Sequence, residues 1–148
     1  MLITRRLEFD AGHRIPNHTS QCKHLHGHRY AIEITLSGDV ITAEGQSSQG
    51  MVMDFADVKR IAKALVVDAW DHAFLVYRGD QAVCGFLATL PEHKTVVLAL
   101  VPTVENLAQI AFDILDPAYQ NIYDNRLRLN QVRIYETPNN WADCRRQE

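Results

Sequence analysis

No stretch of this sequence is apolar enough to cross a bilayer. The longest uninterrupted apolar run, Val96–Val101, has six residues, against the ~20 that a spanning helix needs. Met1–Asp10 contains Arg5 and Arg6 but no apolar stretch behind them, so it does not read as a signal peptide. Cysteine is scarce: Cys22, Cys84 and Cys144 are widely spaced and odd in number. That argues against a disulfide framework and for a reducing, cytoplasmic setting. A basic excess is missing too. Lys and Arg number 15 against 18 Asp and Glu, a net charge of −3, whereas a duplex-binding surface carries surplus positive charge. Neither nucleic acid nor a membrane is expected as a partner. Heptads, Pro-rich tracts, Gly/Ser linkers and internal repeats are absent, which excludes fibrous and disordered classes. The 148 residues suit one domain, 1–148.

What is present is periodicity. Ile3, Leu7, Phe9 and Ala11 alternate with Thr4, Arg6, Glu8 and Asp10, which predicts a half-exposed strand over 1–11. Gly12–Lys23 is rich in turn formers and reads as a loop. From His26 the even positions His26, His28, Tyr30, Ile32, Ile34 and Leu36 oppose polar Arg29, Glu33 and Thr35, a second strand. Ser37–Gly50 reads as a loop. Asp54 is placed to cap a helix carrying Val58, Ile61, Ala62, Leu65 and Val66 to about Ala69. Val96–Leu100 reads as a short strand, and Arg78–Lys94 as an irregular insertion with a helical piece around 82–90. Thr103 caps a second helix with Leu107, Ile110, Ala111 and Ile114 on its buried stripe, ended or made irregular at Asp116-Pro117. Leu127–Glu136 is the last strand. The expected class is α+β: a four-stranded antiparallel sheet with two helices on one face.

Histidine is the compositional oddity. Of seven, His18, His24, His26 and His28 fall close together. Residues i and i+2 of a strand share a face, ~6–7 Å apart at Cα, so His26 and His28 can converge on one metal ion. Gly27 between them admits a close neighbour. His13, just past the first strand, is the candidate third ligand, and three neutral nitrogens with an open fourth position are the usual catalytic zinc arrangement. An isolated His-x-His is also compatible with a solvated loop. Cys22, four residues before His26, has three readings from chemistry alone: a fourth ligand that closes the site, a thiolate activated by the metal or Lys23, or an inert small residue. Asp71-His72 is an acid–base candidate. Glu136, taken alone, is a solvated carboxylate at a strand end.

Six motifs in register carry a resemblance. They are Phe9-Asp10-Ala11-Gly12-His13-Arg14, Cys22-x-x-x-His26-Gly27-His28, Gly50-Met51-Val52-Met53-Asp54-Phe55, Asp71-His72, Pro102-Thr103-x-Glu105-Asn106-Leu107-Ala108 and Tyr135-Glu136-Thr137. From about Leu7 to Thr137 the sequence resembles the 6-pyruvoyltetrahydropterin synthase / 6-carboxytetrahydropterin synthase family. The resemblance implies the tunnelling fold (T-fold) and subunits assembled into barrels, as a homohexamer of two trimers. It implies Zn2+ on His13, His26 and His28, holding the side-chain hydroxyls of 7,8-dihydroneopterin triphosphate. Cys22 would be the general base, Asp71 and His72 its proton-handling partners, and Glu136 the pterin anchor. Thr103 and Glu105 would help to build the pterin pocket, often across a subunit boundary.

The family has two outcomes, and the three-residue gap between Cys22 and His26 looks like the carboxy type, which feeds queuosine synthesis. Trp70 stands where Leu is common, Val76 where Asn often follows, and Arg78–Lys94 is longer than the usual connection. The competing expectations are the 6-pyruvoyl outcome, a catalytically silent pterin- or purine-binding subunit, and a zinc hydrolase built on the three histidines.

Overall fold

The odd positions of the first strand and the even positions of the second bury on one face of a sheet. In the computed structural model, which describes residues 1–122 and 125–147, β1 (Leu2–His13) and β2 (His26–Ser37) pair antiparallel from Leu2 opposite Ser37 to His13 opposite His26. Phe9, Ala11, His13, Tyr30, Ile32, Ile34 and Leu36 are buried. The other face carries ion pairs such as Arg6–Glu33 at 3.3 Å and Arg29–Asp10 at 2.8 Å. Gly12 and His13, expected in the loop, are the last two residues of β1.

The sheet has six strands in the order β4–β3–β1–β2–β5–β6, with β3 at Ala73–Tyr77, β4 at Thr95–Leu98, β5 at Arg128–Thr137 and β6 at Asn140–Arg145. β5 is antiparallel to β2 and β6 to β5, whereas β3 runs parallel to β1 and β4 parallel to β3. The α+β class stands, but the expected four antiparallel strands become six in a mixed sheet. β3 escaped because its sequence, Ala-Phe-Leu-Val-Tyr, does not alternate. It is covered on both faces, as parallel strands usually are: Ala73 and Leu75 join the main core, while Val76 packs with Val83, Leu87 and Phe74 in a second cluster. β6 escaped because Asn-Trp-Ala-Asp-Cys-Arg turns only the small Ala142 and Cys144 toward the core, too weak an alternation to mark a strand. It is an edge strand, held by its short turn to β5.

Helix α1 (Phe55–Ala62) starts where Asp54 accepts the Ala56 N–H at 2.7 Å. It continues through a widened π-helical stretch (Lys63–Val67) and a last turn (Asp68–Trp70). The widened turn changes the helical phase. Leu65, expected on the buried stripe, is therefore exposed, while Val66 is buried as expected and is joined by Val67 and Trp70. Helix α2 (Gln81–Ala88) makes the crossover between parallel β3 and β4, and its Val83 and Leu87 cover the face opposite the main core. It is a third helix, on the side the expectation left bare. Helix α3 (Val104–Gln120) is capped by Thr103, whose hydroxyl accepts from Asn106 N at 3.3 Å.

Helix α3 runs through Pro117 rather than stopping there. One missing N–H is outweighed by the buried last turn, where the Tyr119 hydroxyl donates to the Val58 carbonyl at 2.8 Å and Arg146 pairs with Asp116. Leu107 and Ala111 lie in the core, joined by Ala108, Phe112 and Leu115, while Ile110 and Ile114 sit at its margin. Among the described residues, no helix is long and apolar enough to cross a membrane.

Candidate metal centre and active site

The core face of the sheet ends in polar groups. Going along β1, Phe9 and Ala11 give way to His13; along β2, Tyr30 is preceded by His28 and His26; along β5, Ile134 is followed two residues later by Glu136. Strand pairing aligns these ends, with His13 opposite His26 and Ala11 opposite His28. A Cβ on Gly27 would come within 3.0 Å of the Ala11 carbonyl oxygen, so glycine there permits the close approach of β1. The close neighbour expected at Gly27 is thus the β1 backbone.

Each of His13, His26 and His28 offers a ring nitrogen, and these ligand atoms lie within 4.8 Å of one another. His13 Nδ1 donates to the Pro102 carbonyl at 2.7 Å, and His26 Nδ1 to the His24 carbonyl at 2.6 Å. Carbonyls only accept, so both Nδ1 atoms carry the proton and both Nε2 atoms present lone pairs. Those two Nε2 atoms face each other at 3.1 Å, an arrangement that calls for a cation between them. Nε2 of His28 is buried and has no hydrogen-bond partner among the described residues. Burial pushes His13 down to about 4 and also lowers His28, with the Glu136 carboxylate opposing the shift at His28. Neutral imidazoles are the form a metal binds. The three residues fit a metal ion.

The Glu136 carboxylate does not stand in solvent. Its two oxygens lie 3.9 Å from His13 Nε2 and 3.8 Å from His28 Nε2. Asp71 and His72 lie at the junction of helix α1 and β3. Asp71 Oδ1 accepts the Asp10 N–H at 2.9 Å, and His72 Nδ1 stands 2.9 Å from Asp71 Oδ2. The Asp10 amide is the main reason the Asp71 carboxyl is held below its usual range. An open depression of about 450 Å3 is lined by Asp10, Gly12, Arg29 and His72, and His28 is the one member of the histidine group that also lines it. That is the size of a small-molecule site.

A model of the 6-pyruvoyl tetrahydropterin synthase family matches residues 2–147. The chain belongs to that family. It is 36% identical over 137 residues to the 6-carboxy-5,6,7,8-tetrahydropterin synthase of Rickettsia bellii, covering 92% of this chain and 94% of the relative. The crystal structure of an uncharacterized protein from Wolinella succinogenes superposes with a TM-score of 0.80 at 21% identity, covering 99% of this chain and 98% of the other. The structure of Caenorhabditis elegans 6-pyruvoyl tetrahydropterin synthase superposes with a TM-score of 0.68 at 25% identity, covering 99% and 96%. The architecture is the tunnelling fold of this synthase family.

Cys22 sits half-buried on a single 3-10 turn (Gln21–Lys23), tied back by Ile15 N–H to the Cys22 carbonyl at 2.8 Å. Among the described residues it is not part of the converging ligand group, so the reading of Cys22 as a fourth ligand has no support from this geometry. Thr103 is occupied as the α3 cap, and Glu105 is exposed in that helix's first turn, near its positive end. Their segment nevertheless borders the site, because Pro102 holds His13. His18 Nδ1 accepts from Ser20 N at 3.0 Å within its own turn.

Four contributors went unnoticed in the sequence. Tyr30 lies under the histidines, its ring 5.6 Å from that of His28 and its buried hydroxyl without a hydrogen-bond partner among the described residues. Its even parity, shared with His26 and His28, was the available signal. Asp10 grips Asp71 through the backbone, and Pro102 and His24 act through carbonyls. Backbone roles leave no mark on residue type.

Proposed function

We propose that this synthase-family protein converts 7,8-dihydroneopterin triphosphate to 6-carboxy-5,6,7,8-tetrahydropterin, acetaldehyde and triphosphate, as a Zn2+-dependent lyase of queuosine (7-deazaguanine) biosynthesis. The observation that carries the reading is the His28 Nε2 atom, buried and without a hydrogen-bond partner among the described residues, in a three-histidine group of which His28 lines the same depression as His72. The name of the Rickettsia bellii relative supports the carboxy outcome, as does the short gap between Cys22 and His26.

His13, His26 and His28 would hold the zinc, with His13 and His26 oriented by backbone carbonyls. When bound, the ion supplies Lewis acidity toward the substrate's side-chain hydroxyls. Cys22 acts as the base that removes a side-chain proton. Asp71 orients His72, which moves a proton at the rim of the depression. Glu136 accepts from the pterin N3–H and exocyclic amino group, two donors matched by the two oxygens of one carboxylate. Thr103 and Glu105 wall the pterin pocket.

The same reading makes residues 1–148 one domain, places the protein in the cytoplasm, and assigns it neither a nucleic-acid nor a membrane partner. It makes the active unit a homohexamer of two trimers. β4 and β6 are sheet edges, with Val97 and Trp141 exposed on them, and barrel closure between subunits removes such edges. Light scattering that reports an active monomer at micromolar concentration would defeat the hexamer.

The second reading, 6-pyruvoyl synthesis, draws on the name of the Caenorhabditis elegans structure. One assay separates the alternatives. Incubation with zinc and dihydroneopterin triphosphate yields acetaldehyde and the carboxypterin in the first reading. It yields the pyruvoylpterin without acetaldehyde in the second, and no product from a silent binder.

A further inference from the structure

The insertion Arg78–Lys94 ends on a residue that reaches the acid–base pair. Lys94 Nζ donates to the Asp68 carbonyl and to the Asp71 carbonyl, each at 2.6 Å. The Asp71 carbonyl belongs to the peptide unit that links Asp71 to His72. The N–H of that unit donates to the Asp10 carbonyl at 2.6 Å. Both ends of one peptide plane are therefore held, one by the insertion and one by the strand that carries His13. The Asp71 carboxylate is held by Asp10 as well, through the Asp10 N–H.

This peptide needs holding. His72 has φ +58°, the left-handed region that a residue with a Cβ adopts only when its surroundings impose it. Left free, the backbone at 71–72 would relax and swing the His72 ring away from Asp71. Lys94 itself is kept in place by pairing: its carbonyl accepts the Phe74 N–H at 3.0 Å, just before β4 aligns Thr95 with Phe74. The start of the insertion is pinned too, where the Asp80 carboxylate accepts from Nε and Nη2 of Arg14, the residue after His13, at 2.6 and 2.7 Å.

We propose that Lys94 is a positioning residue for the reaction: its ammonium locks the Asp71–His72 peptide so that His72 stays over Asp71 at the rim of the depression. The extra length of Arg78–Lys94 exists, on this account, to deliver that ammonium. The inference rests on the acid–base role given above to Asp71 and His72. It requires a donor with reach, not a charge alone, since Lys94 meets two carbonyls rather than a carboxylate. Two carbonyls that a helix end leaves unsatisfied are a natural target for a cation.

Lys94→Met and Lys94→Arg are compared with the parent, with Asp71→Asn alongside, in the zinc-loaded protein. Lys94→Met is expected to lower kcat on the order of tenfold or more, the usual scale for a displaced catalytic group. KM, zinc content and folded fraction should stay within about twofold of the parent, and Lys94→Arg should recover most of the rate. Amide hydrogen exchange reads the same lock without turnover: the His72 N–H should exchange on the order of tenfold faster in Lys94→Met. Parental kcat and parental His72 exchange in Lys94→Met overturn the inference, as does a kcat that falls only with zinc content. If Asp71→Asn keeps the parental kcat, the acid–base reading fails instead, whatever Lys94→Met shows.

Discussion

Nε2 of His13 and Nε2 of His26 face each other at 3.1 Å, and each ring already donates its Nδ1–H to a backbone carbonyl. Two lone pairs held this close repel unless a cation lies between them. The first prediction follows: the purified protein contains about one zinc per chain, and His26→Ala and His28→Ala lose it. Elemental analysis decides, and full retention in both variants would rule the site out.

The pH response has a definite sign. An unfolded histidine titrates near pH 6.5, whereas burial brings His13 to about 4. Between those values the unfolded chain binds the extra proton. This contribution to stability is therefore intact above about pH 6.5 and is lost as the pH falls toward 4, by roughly 3 kcal/mol. Zinc should leave over the same interval, because imidazoles must be neutral to bind it. Thermal melting of the metal-free protein between pH 7.5 and 5 tests this, with His13→Asn expected to flatten the dependence. A flat parental profile would contradict it.

Cys22→Ala should keep zinc and substrate binding while turnover falls by about 10²–10⁴, the range for loss of a general base. Zinc analysis beside steady-state kinetics separates the two roles. A variant that loses its zinc makes Cys22 a ligand after all.

Glu136→Gln keeps the shape of the side chain but turns an NH2 group toward one of the two pterin donors. The unpaired donor costs about 1–3 kcal/mol, so substrate affinity should drop roughly ten- to a few-hundred-fold with zinc unchanged. Calorimetric titration with a pterin gives the answer. Parental affinity would return Glu136 to the status of a strand-end carboxylate.

The Arg14–Asp80 pair carries a stability prediction. Asp80 is buried and also caps α2, accepting from Val83 N at 3.5 Å. Asp80→Ala removes one partner of a largely buried, two-point pair and should cost roughly 3 kcal/mol, a fall in melting temperature of about 6–12 °C. A shift under 2 °C, taken as about 0.5–1 kcal/mol, would show that the pair contributes little.

Much of this was legible in residue order. The alternation of β1 and β2 put His13, His26 and His28 on the core face, because strand parity is a local property. Asp54 and Thr103 announced their helices, because capping is chemistry within three residues. The six spaced motifs were enough to point to the family. The phase of α1 past Ala62 was not legible, since a widened turn leaves the apolar count intact while rotating it. Nor were β3, apolar throughout, and β6, whose inward-facing pair is only the small Ala142 and Cys144.

The sequence by itself determined which residue types could bind a metal, and which of them share a strand face. Only the tertiary structure decided how those groups meet. His13 takes its tautomer from Pro102, 89 residues away in the chain, and Asp71 takes its hydrogen bond from Asp10, 61 residues away. Glu136 turns to the histidines, and Lys94 grips the peptide after Asp71, because separate strands end at one edge of the sheet. No local pattern encodes such meetings, since they depend on where the chain crosses itself and on backbone atoms that every residue shares.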